Sequence, residues 1–116
     1  MEESKVYNKA YSFAITIVQL FQTLQDSKKE YILSKQLLKC GTSIGANISE
    51  ANGAISPNDF SAKMSIAYKE SLETKYWLSL LKDTNYIDSD TFERMYMSAD
   101  EISKMLFAII KTTRKF

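Results

Sequence analysis

Glu50, Glu70 and Glu73 are the side chains with most capacity for chemistry, because carboxylates on neighbouring helices can act as acid and base or hold a hard cation. The 116-residue chain has no histidine and one cysteine. A base titrating near neutral pH, the common zinc ligand sets and Cys–His nucleophilic pairs are therefore unavailable. Two-metal carboxylate bundles draw Glu-x-x-His motifs from paired helices, and none can be written here. An oxygen-only Mg or Mn site would need convergent carboxylates with few cations nearby, yet Lys35, Lys39 and Lys63 fall where they would neutralise one. Cys40 lies within an apolar stripe. Gly41 and Gly45 interrupt a helical pattern, with no preceding strand and no following Lys-Ser/Thr pair, so they do not form a phosphate loop. The residues predict no catalytic group, no cofactor and no metal site.

Four segments must position these groups. Apolar residues recur at alternating spacings of four and three, which keeps them on one side of an α-helix. The first line is Val6, Ala10, Phe13, Ile17, Leu20 and Leu24, widened by Tyr7, Ala14, Val18 and Phe21. The second is Leu33, Leu37, Ile44, Ile48 and Ala51, with Gly41 in the gap. The third is Phe60, Met64, Ala67, Ser71, Thr74, Leu78 and Leu81, and the fourth Met95, Ala99, Ile102, Leu106, Ile109 and Thr113. Asp26-Ser27-Lys28-Lys29 separates the first pair. Ser56-Pro57-Asn58-Asp59 supplies an N-cap hydroxyl, a proline at the first helical position and an acid at the third. Asp90 with Glu93 predicts a capping-box opening of the fourth helix. Short connections favour antiparallel neighbours, so the sequence predicts one all-α domain over residues 1–116, an up-down-up-down four-helix bundle.

Fifteen Lys plus Arg against fourteen Asp plus Glu leave a formal charge of +1, so no strong field draws the chain to polyanions or acidic membranes. The longest uncharged run, Ala10 to Gln25, contains Ser12, Thr16, Gln19, Gln22 and Thr23 and is too polar to span a bilayer. With one cysteine and no apolar leader ahead of a cleavage site, a cytoplasmic location without a membrane partner is expected.

An interior glycine costs about 1 kcal/mol relative to alanine in a helix. Taking the first turn as centred between Ser27 and Lys28, Ala14 falls opposite Gly41 and Ala10 opposite Gly45, so the two backbones are expected to approach closely. The competing reading is a notch that admits a ring from another subunit or a ligand. A polar line of Gln36, Cys40, Ser43, Asn47 and Glu50 borders this seam. Counting across a second turn near Ile55 brings Lys39 to Glu70, Lys35 to Glu73, and Lys63 to Glu50 and Asn47.

Ser43-Ile44-Gly45-Ala46-Asn47-Ile48-Ser49-Glu50-Ala51 resembles the S-I-x-x-N-I-x-E-[AG] motif of the bacterial four-helix-bundle proteins encoded in intervening sequences of 23S ribosomal RNA genes. Lys69, Glu70, Glu73, Thr74, Trp77 and Leu78 fall on that family's K-E-x-x-E-T-x-x-W-L pattern. The resemblance implies a homo-oligomeric ring, most simply a pentamer, and kinship with the accessory variability protein of diversity-generating retroelements, which binds nucleic acid and a reverse transcriptase through a basic surface. Nothing in the family implies an enzyme.

Two functional readings therefore compete. One is a non-enzymatic oligomeric interaction module whose partner is RNA, DNA or a nucleic-acid-handling protein, contacted through Lys28 and Lys29 at one end of the bundle or Lys111, Arg114 and Lys115 at the other. The alternative is a protein–protein adaptor without a nucleic-acid role. A carboxylate-based metal enzyme stands third. Tyr68, Tyr76 and Trp77 are expected in lateral packing or a subunit interface ahead of base stacking.

Overall fold

The apolar lines resolve into four helices: α1 (Glu2–Asp26), α2 (Leu33–Asn52), α3 (Pro57–Asp83) and α4 (Ser89–Arg114). A computed structural model describes residues 2–114, with side chains for residues 5–113, and contains no strand among the described residues. The bundle measures 44 × 21 × 21 Å. Each helix packs on its neighbour in the chain, whereas α1 and α4 meet over much less of their length. Phe13, Ile17 and Leu24 of α1, Leu37, Ile44 and Ile48 of α2, Met64, Leu78 and Leu81 of α3, and Ile102 and Leu106 of α4 fill one core. In the last turns of α4 the core residue is Ile110, while Ile109 is half-buried and Thr113 exposed. A 3.6-residue period allows a step of three or four after Leu106, and here the step is four.

Helix ends follow from local hydrogen bonding. Ser56 caps α3, its Oγ accepting from the Asp59 N–H at 3.0 Å, and Pro57 occupies the first turn. Asp59 reaches back to accept from the Ile55 N–H at 3.2 Å. The predicted opening of α4 at Asp90 is corrected by two residues: Asp88 Oδ1 accepts from the Thr91 N–H at 2.7 Å. Asp90 lies inside the first turn, where its charge suits the helix dipole. Asn85 adopts φ 68° after α3, and the Tyr86 N–H donates to Leu81 O at 2.8 Å, closing the helix in a Schellman-type turn.

The first connection is longer than the Asp26–Lys29 turn expected, and α2 begins only at Leu33. Lys29 at φ 56° turns the chain so that the Glu30 N–H donates to Leu24 O at 3.0 Å. Glu30 is then 8% exposed, and its carboxylate accepts from the N–H groups of Ile32, Leu33 and Ser34 at 3.1, 3.0 and 2.6 Å. Burial alone would raise this carboxyl, but the backbone donors outweigh it and hold it below the ordinary value.

The glycines divide. A Cβ on Gly45 would stand 3.7 Å from Ala10, as the antiparallel count predicts. Gly41 instead faces Ile17, whose Cδ1 and Cγ1 lie 2.9 Å from where a Cβ would sit, and not Ala14. Helix packing staggers side chains, so residues at equal distance from a turn need not meet.

Candidate interaction surfaces

The bundle has four sides, and each carries different chemistry. The α2–α3 side holds most of the polar motif residues. Glu50 pairs with Lys63 at 2.8 Å. Asn47 is half-buried, but its Nδ2 donates to Ser43 O at 2.8 Å within α2, so the expected cross-helix partner is replaced by a carbonyl of its own helix. Ser43 Oγ donates to Lys39 O, and Thr74 Oγ1, fully buried, donates to Glu70 O. Glu70 is raised above the usual carboxylate range by burial and by the Glu73 charge, with Lys39 pulling the other way, which places Lys39 beside it as counted. Lys35 and Glu73 form no ion pair among the described residues. Glu73 instead accepts from Trp77 Nε1 at 3.1 Å, and Tyr76 packs edge-on against that indole with ring centroids 5.0 Å apart. Ile44, Ile48 and Leu78 of the motif are core residues, and Lys69 is exposed.

Cys40 is buried on the same seam, with burial pushing its thiol up to about 11 against a smaller downward pull from Thr74. The thiol donates to Leu37 O at 3.6 Å. Among the described residues no three Cys, Asp or Glu side chains converge as a metal site would require.

The α3–α4 side is amphipathic. Tyr68, Leu72 and Phe107 line a groove of about 420 Å³ whose other wall is Lys75, Asp100 and Lys104. Asp100 accepts from Lys75 at 3.0 Å and Lys104 at 3.1 Å, and these two cations hold its carboxyl below the usual range. Beneath the groove Ser71 and Ser103 share a hydrogen bond of 2.7 Å between α3 and α4. The α1–α4 side is polar and open, a groove of about 390 Å³ lined by Ser12, Thr16 and Ser98 and crossed by the Lys9–Glu101 pair at 3.0 Å.

Lys28 and Lys111, from the two basic clusters, lie toward opposite ends of the bundle, as the topology requires. Lys28 and Lys29 are exposed at the α1–α2 connection. Asp88 of the α3–α4 connection is held low chiefly by Thr91, with smaller pulls from Arg94 and Lys28, so Lys28 has an acid for a neighbour. Lys111 is exposed near the end of α4. Arg114 ends that helix, its side chain lying outside the described atoms, and Lys115 lies outside the described residues.

The family model of the 23S rRNA-intervening sequence proteins matches residues 2–108. The chain belongs to this family. A solved relative agrees with that assignment: a crystal structure described as a protein with unknown function from the S23 ribosomal protein family of Bacteroides thetaiotaomicron VPI-5482 is 47% identical, with a TM-score of 0.94 over 96% of this chain and 99% of that one. No curated protein matches significantly. Set on the structure, the motif residues are core side chains, Ile44, Ile48 and Leu78, and polar groups that bond mostly within their own helix, with Glu50 reaching across to Lys63 on α3. Among the described residues no helix is long and apolar enough to cross a membrane.

Sequence reasoning missed two features. The Glu30 cap was legible only as an acid three residues before Leu33, and the Lys75–Asp100–Lys104 cluster joins residues far apart in the chain.

Proposed function

We propose that this chain is a non-enzymatic module that assembles with copies of itself and acts by binding. The observation that carries the reading is the outer face of α1. Between Ala10 and Gln25 there is no charged residue, and Tyr11, Ile15 and Val18 are 57%, 47% and 38% exposed. A helix side with neither charge nor cover has the composition of an interface core. Of the three carboxylates with most capacity for chemistry, Glu50 is engaged by Lys63 and Glu73 by the Trp77 indole N–H, while the Cys40 thiol is buried, with burial pushing it up to about 11. Light scattering at micromolar concentration is expected to give a multiple of 13.3 kDa, the pentamer being the form the resemblance implies. A monomer would remove the reading.

A nucleic-acid partner would have to be held by ring-wise repetition of a small cluster, since the net charge is only +1. The Lys111 end is the better candidate, because Lys28 already has Asp88 beside it. Binding of a labelled oligonucleotide should then fall steeply with salt and be lost on charge reversal at Lys111 with Arg114 and Lys115. Absence of binding at low salt would favour the protein-adaptor role.

A further inference from the structure

Two sides of the bundle expose apolar surface, and they are opposite sides. Lys9, Ser12 and Thr16 face α4. By helical period Tyr7, Tyr11, Ala14 and Val18 therefore lie on the other flank of α1, toward α2. There the small residues leave little between the helices: a Cβ on Gly45 would touch Ala10 at 3.7 Å, and half-buried Thr42 lies between Gly41 and Gly45 in sequence. From Ala10 to Gln25 α1 brings no charge to this α1–α2 side, and the small residues keep the line between the two helices low, as a shallow furrow would be. The α3–α4 side is its converse, with Leu72 and Phe107 standing 41% and 53% exposed beside a cluster in which Asp100 pairs with both Lys75 and Lys104, leaving one positive charge over.

Resting on the oligomeric reading above, we infer that the α1–α2 side of one copy receives the α3–α4 side of the next, with Leu72 and Phe107 seated along the furrow beside Tyr11 and Val18. The occupant is a second copy because the α1 flank of the furrow offers no charge to a charged partner and the protruding counterpart is present on the same molecule. The size suits such a contact. One side of a body 44 × 21 × 21 Å projects about 900 Å², comparable to the ~800 Å² that each partner contributes to a standard interface. Using two different patches makes the contact heterologous, so each copy carries one of each; the contacts close into a ring where the rotation between successive copies closes, and run on as an open filament where it does not.

Charge placed on either patch tests this, and all the sites are exposed enough to leave the fold intact by circular dichroism. Val18→Glu or Tyr11→Glu on one side, and Phe107→Glu or Leu72→Glu on the other, should each reduce the assembly to monomer. Mixing Val18→Glu with Phe107→Glu should then restore one contact and only one, giving a heterodimer of about twice 13.3 kDa. If the wild type is monomeric, the oligomeric reading itself fails. If the wild type assembles but the folded variants do too, or the mixture stays monomeric, the assignment of the two sides is wrong while oligomerisation stands.

Discussion

Replacing Gly41 by alanine would set a Cβ 2.9 Å from both Cδ1 and Cγ1 of Ile17 and 3.0 Å from its Cγ2. Ile17 is fully buried and β-branched, so it cannot clear three contacts by rotating one terminal methyl; either the ring of side chains around it shifts or α1 and α2 move apart. Overpacking of this kind costs about 1–3 kcal/mol, against which alanine recovers about 1 kcal/mol of helix propensity. Gly41→Ala should therefore be neutral to destabilising by about 2 kcal/mol. Gly45→Ala meets only ordinary contact at 3.7 Å and should stabilise by up to about 1 kcal/mol. Gly45→Leu would overfill the same seam and destabilise. At this chain length 1 kcal/mol moves Tm by about 3–5 °C, so the two alanine variants should be separable by thermal melts at one fixed protein concentration, since assembly adds to stability. In an Ile17→Ala background Gly41→Ala should turn stabilising. A Gly41→Ala protein that melts at or above Gly45→Ala would refute the argument from close approach.

Two further outcomes follow from the buried titratable groups. Glu30→Gln should cost about 1–2 kcal/mol near neutral pH by removing a charged acceptor from three backbone donors. Because the folded carboxyl lies below its ordinary 4.5, its contribution is fully present above that pH and is lost as pH falls through the folded value. The gap between wild type and Glu30→Gln in urea titrations should accordingly narrow below pH 4.5, and a gap that widens there would contradict the cap. Cys40, buried and pushed up to about 11, should be alkylated at neutral pH only as fast as the protein opens; labelling at the rate of a free thiol would place it on the surface.

The four helices were legible because their apolar lines are long and because Ser56-Pro57 carries its capping instruction in adjacent residues. What escaped was anything decided by small geometric differences between helices. The Ala10–Gly45 approach followed from counting, but the partner of Gly41 depended on a stagger that counting does not contain. Asn47 looked as if it needed a partner across the bundle, and its own helix supplied one. Glu50 with Lys63 could be paired in advance because both lie close to the same turn, where register has had little length in which to drift. Lys75, Asp100 and Lys104 join helices at a level that no local pattern marks.

The loose contact between α1 and α4 gives the molecule a seam and, with it, an order of opening. Every extensive helix interface joins segments adjacent in the chain, so folding can proceed hairpin by hairpin without first closing the whole loop, which favours fast folding. In the native state the same seam is where the barrel unzips. Amides of α1 and α4 along it should exchange with solvent through partial openings, while α2 and α3, clasped on both flanks, keep their protons until the whole chain unfolds.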